Sequence, residues 1–287
     1  MADLRQYLSV DYWREHWLMA AYVVWGVILF AAFTVGNFPY QDTLSAIVSP
    51  LGCKITYQNQ RLSFPIGAVL ENVRLVSTLE PAGGTVFQSA DMTLAPALGS
   101  MLIGHPGLRI NAEAYDGRVR ATVWRTRDGI AVDFDARSLN LARYRLAAQF
   151  GARLSGTLSG AGSIALSEQA LNASSGRLGL SGKGLTLKLG GGFAPITLAD
   201  CNGTFKLERG KLKIERLDGK GPDLALHAQG EVMLAPDIAD SVLQATLQLE
   251  PTPLGRTHLA ILLGLLPRPP DSQPYRLRGP LLSPSIS

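Results

Sequence analysis

Four histidines, two cysteines and a few neighbouring acids are the side chains in this sequence best suited to chemistry. A metal site needs three or four such ligands brought together. His16, His105, His227 and His258 are far apart, and none lies beside a Cys, Asp or Glu at ligand spacing. His227 alternates with Leu226 and Ala228, which predicts a solvent-facing place on a strand. Asp133 and Asp135 share one parity and read as a solvated strand edge rather than an acid–base pair. Ser181-Gly182-Lys183-Gly184 has the composition of a phosphate loop but neither its spacing nor a following helix, so a hairpin turn is expected there. No nucleophile elbow, Walker loop or dinucleotide fingerprint occurs. The expectation is a chain that is not an enzyme, with no catalytic residue, cofactor or metal.

Cys53 and Cys201 do not make a disulfide framework. One bridge in an oxidising compartment stays open, and two separately buried thiols are the preferred reading. Charged residues make up 17% of the chain, below the usual quarter, while Gly numbers 30 and Pro 17. That balance favours strands and tight turns over helical bundles. The net charge of +4 is spread without a dense Lys/Arg run, so nucleic acid is not an expected partner.

The longest uninterrupted apolar stretch runs from Trp17 to Phe38 and contains no Asp, Glu, Lys or Arg. As a helix it would be about 33 Å long, enough for a bilayer core. A signal peptide fits less well: the stretch is too long, and no small-x-small cleavage site precedes Asn37-Phe38-Pro39-Tyr40. Residues 17–38 are therefore expected to be a transmembrane helix, with Trp17, Tyr22, Trp25, Leu29, Phe33 and Phe38 as its membrane-contacting side chains. Residues 1–16, with Arg5 and Arg14, would form a cytoplasmic segment, leaving 39–287 in the periplasm.

Within 39–287 a short amphipathic helix over Thr43–Val48 comes first, with Leu44, Ile47 and Val48 at helical spacing. From Cys53 the period falls to two, the mark of half-buried antiparallel strands. Arg109–Tyr115 and Arg118–Trp124 flank Asp116-Gly117, a strong hairpin signal, and Asp128-Gly129 repeats the device. Short helices are expected at Pro96–Ile103 and Leu139–Phe150, and a sub-boundary falls near 138–155. Strands resume at Leu154 and recur about every ten residues. Pro253–Leu266 is apolar nearly all round but too short to span a bilayer; it would cap the sheet or lie in the membrane surface. The fold class is mainly β: an antiparallel, groove- or sandwich-like domain with a few short helices. Leu185, Leu187, Leu189, Leu212, Ile214, Leu224 and Leu226 are the candidate apolar groove face.

The order of several segments resembles the type II secretion system protein N (GspN) family. The anchor ends in Phe38-Pro39-Tyr40. Arg61-Leu62-Ser63-Phe64-Pro65 leads to Leu70-Glu71-Asn72-Val73-Arg74-Leu75. Ala112-Glu113-Ala114-Tyr115-Asp116-Gly117-Arg118-Val119, Leu139-Asn140-Leu141-Ala142-Arg143-Tyr144 and Leu154-Ser155-Gly156-Thr157-Leu158-Ser159-Gly160 follow. Leu263-Gly264-Leu265-Leu266 and Tyr275-Arg276-Leu277-Arg278-Gly279 close the chain. The pattern is also similar to the longer AsmA-like proteins, membrane-anchored β grooves implicated in lipid traffic. The resemblance implies a non-enzymatic inner-membrane accessory of protein secretion, with other type II secretion components as partners and lipid as a further one. A reporter active only after export, fused to the C-terminus, is expected to be active; a stable but inactive fusion would reverse the topology.

Overall fold

The computed structural model describes residues 53–63, 67–77, 84–97, 107–144, 151–167, 171–190, 192–235, 240–270, 273–281 and 283–287. It also describes isolated positions between 21 and 45, and residue 148. The body is one antiparallel sheet. Its first strands are β1 (Cys53–Thr56), β2 (Asn59–Ser63), β3 (Gly67–Ser77), β4 (Gly84–Pro96) and β5 (Gly107–Ala114). Next come β6 (Gly117–Arg125), β7 (Gly129–Asn140), β8 (Ala152–Ser167), β9 (Ser175–Leu189) and β10 (Ile196–Glu208). The last are β11 (Lys211–Lys220), β12 (Leu224–Met233), β13 (Val242–Pro251), β14 (Tyr275–Pro280) and β15 (Ser285–Ile286).

From β3 to β15 each strand bonds to the one before and after it in the chain. β1 and β2 both pair with β3 and act as a single edge strand, broken at Tyr57-Gln58 opposite Asn72. Among the described residues no ladder joins β1 to β15, and no second sheet faces the first. The sandwich alternative is thus replaced by a single open sheet of fifteen strands.

The expected hairpins are present, each with its turn one residue earlier than expected: Gly117 and Gly129 open β6 and β7. Ala114 pairs with Gly117, so the two-residue loop is Tyr115-Asp116, not Asp116-Gly117. Both loop residues have left-handed φ values, 52° and 58°, as a type I′ turn requires. Gly117 instead closes the turn because it is crowded: a Cβ there would lie 2.4 Å from the Arg137 carbonyl oxygen. Asp116 accepts from Asn140 Nδ2 at 3.0 Å and Arg143 Nε at 3.1 Å, tying this turn to the end of β7.

Strict alternation fails at one point in several strands. Leu70 is followed on the apolar side by Val73, Ser89 by Met92, and Ala136 by Leu139. The same three-residue step takes Gly182 to Leu185, Leu198 to Cys201 and Ile214 to Leu217. Asn72, Ser138 and Gly184 lie within these steps in left-handed conformations. Such irregularities bend a strand, and the added residue exchanges its two faces. The buried Ser89 fills one step with its hydroxyl, 2.7 Å from the Asp91 carbonyl and 2.8 Å from that of Glu113.

One of these steps corrects the reading of Ser181-Gly182-Lys183-Gly184. These residues are not a hairpin turn but the interior of β9, which pairs with β10 from Leu187 to Ser175 without a break. Opposite them in β8 the register slips between Ser155 and Thr157. The change of parity from Leu178 and Leu180 to Leu185 and Leu187 is a bulge within one strand, not a turn between two.

Among the described residues helical structure is sparse. Leu44 and Ser45 are helical, and Leu44 is buried against Ile55, Leu70, Val73, Met92 and Leu94. The rest of the expected Thr43–Val48 helix lies outside the described residues. Pro96 ends β4, and most of the expected Pro96–Ile103 helix likewise lies outside them. Leu139 and Asn140 belong to β7 and Leu141–Arg143 form a 3-10 turn, so the start of the expected Leu139–Phe150 helix is strand. The Asn140 carboxamide caps that turn, accepting from Ala142 N at 3.1 Å. Near the C-terminus α1 (Pro253–His258) and α2 (Ala260–Gly264) follow β13.

Gly156 in β8 separates two costs of a side chain. Its φ is +104°, and a Cβ there would come 2.4 Å from the Gly184 carbonyl oxygen. Gly151 has a φ of +68° with nothing within 4 Å. Gly156→Ala is expected to destabilise by about 3 kcal/mol, and Gly151→Ala by about 1 kcal/mol. Urea unfolding followed by circular dichroism checks the order; equal losses would contradict the packing at the bulge.

Candidate functional site

Cross-strand pairs decide which residues share a face, since paired residues point the same way. Starting from Leu70, one row runs Met92, Ala112, Val119, Ala136, Gly160 and Leu180. It continues Gly203, Leu217, Ala228, Leu247 and Tyr275. Twelve strands in succession contribute to it, and at 4.8 Å per strand the row is about 53 Å long. Phe134, Gly162, Leu178, Phe205 and Ile214 form part of a parallel row beside it.

The candidate groove residues fall on this face. Ile214 pairs with Phe205 and Leu212 with Leu207. Leu185 and Leu187 pair with Leu198 and Ile196. Leu198 and Leu226 meet over Gly219, where a Cβ would lie 3.0 Å from one and 2.9 Å from the other. Leu189 pairs with Ala152, and Leu224 with Pro251. The steps along β9, β10 and β11 bring these odd and even positions onto one side. The face also holds Leu178, Leu180, Leu198, Phe205 and Leu217, which a reading by fixed parity leaves out of the site. Their signal in the sequence is the three-residue step itself.

Glycines give this face its shape. Space for a Cβ at Gly160 is taken by Leu180, 2.6 Å away, and at Gly182 by Leu185, 2.5 Å away. At Gly203 it is taken by the Phe205 ring, 2.8 Å away. Large side chains thus lie along the sheet over their small neighbours instead of standing up from it. The surface is apolar and low in relief.

Burial along the face is uneven. Inward residues of β3, β4 and β5, including Leu70, Leu94 and Ala112, are buried with Leu44 in one cluster. Leu224, Ala228, Val232 and Ala245 are buried near the other end. Between them Leu178, Leu180, Leu185, Leu187 and Leu189 are only half-buried. The candidate site is this central stretch, over β8 to β11.

The opposite face is polar. Arg137 pairs with Asp135, Arg216 with Asp218 and Lys206 with Glu208, each two residues apart on one strand. Such exposed pairs add little stability. The Arg137–Asp135 and Arg216–Asp218 pairs border an open recess of about 700 Å³, and Asp135 also lines a second of about 690 Å³. Asp133 and Asp135 sit on the polar face of a central strand, rather than at the sheet edge expected for them. His227 is exposed on this face as predicted, its Nδ1 2.7 Å from Asp218 Oδ1. His258 Nδ1 is 3.2 Å from Asp223 Oδ1. His16 and His105 lie outside the described residues. Among the described residues no three metal-capable side chains converge.

Cys53 on β1 and Cys201 on β10 are half-buried thiols. Burial pushes both thiols up, and at Cys201 the Asp218 charge adds to the effect. The thiol form is thereby favoured over the nucleophilic thiolate.

Of the expected anchor, Tyr22, Trp25, Leu29 and Phe33 are helical and strongly exposed. They follow one another by three, four and four residues, the spacing of one helix face. Trp17 and Phe38 lie outside the described residues, among which no helix is long and apolar enough to cross a membrane.

Comparison of the chain with protein-family models, with curated proteins and with solved structures gave no match.

The Asp218–His227 pair supplies a pH test. The hydrogen bond from His227, helped by that from Arg216 and only partly opposed by burial, holds the Asp218 carboxyl below its ordinary value. A lowered carboxyl contributes stability that is fully present above about pH 4 and is lost as pH falls through the lowered value. In His227→Ala the Asp218 carboxyl is expected to titrate closer to the ordinary range, as read by carbon NMR of the side chain. An unchanged titration would mean that the pair does not form.

Proposed function

We propose that this protein is a non-enzymatic, inner-membrane component of type II protein secretion, with residues 17–38 as its transmembrane helix and the sheet in the periplasm. The reading is supported by the ordered resemblance of its segments, together with a β-rich body preceded by an apolar stretch. The exposure of Tyr22, Trp25, Leu29 and Phe33 is the single observation that carries the membrane part: four large exposed apolar side chains at helix-face spacing suit lipid better than water. Its role is that of a scaffold beside other secretion components, and no step of covalent chemistry is assigned to it. Co-purification with those components from detergent-solubilised membranes, and impaired export after deletion, are the expected results. Normal secretion in the deletion strain, without such association, would remove this reading.

A second reading, lipid binding by an AsmA-like groove, is favoured by the low-relief apolar stretch over β8 to β11. A single sheet must cover its apolar face, and an acyl chain laid across half-buried leucines would do so. Burying each further CH₂ of such a chain contributes about 0.8 kcal/mol. Leu180→Asp places a charge in the middle of that stretch and is expected to reduce co-purified lipid at least tenfold, by mass spectrometry of the gently extracted protein. Equal lipid content in wild type and variant would exclude the groove while leaving the secretion reading intact.

A further inference from the structure

The C-terminal helical pair shows hydrocarbon to both the sheet and the solvent. Its inner side is fixed to β12 and β13. Thr252 caps α1 by accepting from Gly255 N at 3.0 Å, and its hydroxyl lies 2.9 Å from the Pro222 carbonyl. Gly255 sits so close that a Cβ would fall 1.7 Å from the Asp223 carbonyl oxygen, and Leu259 is 1% exposed. Hydrogen bonds from Leu259 N to Gly255 O and from Leu263 N to Leu259 O carry the backbone through the junction of α1 and α2. On the outer side Leu254, Ile261 and Leu265 are 53%, 72% and 68% exposed. Their spacing of seven and four residues puts them in one stripe. Single exposed leucines are ordinary, but three on the outer side of one helical pair form a patch.

Charge indicates what the patch meets. Residues 251–287 contain Arg256, Arg268, Arg276 and Arg278 against one acid, Asp271, so they carry 4 − 1 = +3 of the chain's net +4. A second copy of the same surface would bring +3 against +3, which opposes self-association. Aligned aliphatic side chains with an excess of arginine and almost no acid are what an interfacial helix presents to anionic lipid.

We propose that α1 and α2 dock in the headgroup layer of an anionic bilayer. Leu254, Ile261 and Leu265 reach the acyl boundary, and the exposed Arg256 on α1 lies beside phosphate, while Arg268 is held by the Pro274 and Ser287 carbonyl oxygens. The contact stands apart from the secretion reading, since it requires anionic lipid and no secretion component. Strand order follows chain order, so it lies at the far edge of the sheet from β1.

The test uses the full-length chain reconstituted in vesicles of phosphatidylcholine alone, or of phosphatidylcholine and phosphatidylglycerol in equal parts. A diazirine-bearing phosphatidylglycerol is photolysed and its adducts are mapped by mass spectrometry. Adducts are expected on residues 253–268, and the Leu254→Asp/Ile261→Asp/Leu265→Asp variant should lose at least about tenfold of them. All three positions are exposed, and unchanged circular dichroism verifies that the variant folds. As a second measurement, nitroxides are placed by Ile261→Cys or Leu265→Cys in a Cys53→Ser/Cys201→Ser background. They should be open to oxygen and closed to a water-soluble nickel chelate in the anionic vesicles, whereas a label at Gln229→Cys stays open to the chelate. Chelate access at 261 and 265 in both vesicle types would overturn the proposal, as would adducts unaffected by the triple substitution. Labels closed to both quenchers would also overturn it, showing that a protein covers the stripe.

Discussion

A side chain on a strand points to one face or the other by its parity, and a sheet this wide must twist. Those two facts conflict when one face has to remain apolar over twelve strands. The protein reconciles them with three-residue steps in β3, β4, β7, β9, β10 and β11, at which the inward set changes from one parity to the other. Each step accommodates a local bend without putting leucines into water. The row from Leu70 to Tyr275 survives because the bulges fall where the parity changes. Without them, Leu185 and Leu187 would share a face with Lys183 rather than with Leu178 and Leu180.

Much of the β architecture was legible from period two and turn chemistry. The Asp-Gly pairs marked real hairpins, and His227 was placed on the outward side by parity alone. Ser181-Gly182-Lys183-Gly184 was misread because a parity change and a turn leave the same trace in a sequence: glycines beside a break in alternation. Cross-strand register resolves the two, and a single chain does not display its register. Asp116-Gly117 was displaced by one residue for a related reason. Gly117 is needed for its closeness to the Arg137 carbonyl, a long-range contact, while Tyr115 tolerates the left-handed turn. The start of the expected Leu139–Phe150 helix lost to the ladder with β8, since pairing across the sheet outweighs helical spacing in so short a segment.

The face is closed at its two ends and less so at its centre. Leu44 and its cluster cover β3 to β5, and well-buried side chains of β12 and β13 lie beneath the approach to α1. In between, glycines let Leu180, Leu185 and Phe205 recline on the sheet. The central surface is therefore smooth rather than jagged, which suits a sliding, non-directional contact better than one fixed by knobs and pockets. The polar face carries the same-strand ion pairs.

Because each strand from β4 onward pairs with the strand made just before it, no ladder has to wait for a distant segment of chain. Loop closure between neighbours is short and entropically mild. Assembly can therefore proceed by accretion, one rung after another, in the direction of synthesis. A polypeptide threaded through a narrow pore emerges in that same order, so this topology is suited to folding while it is still being delivered.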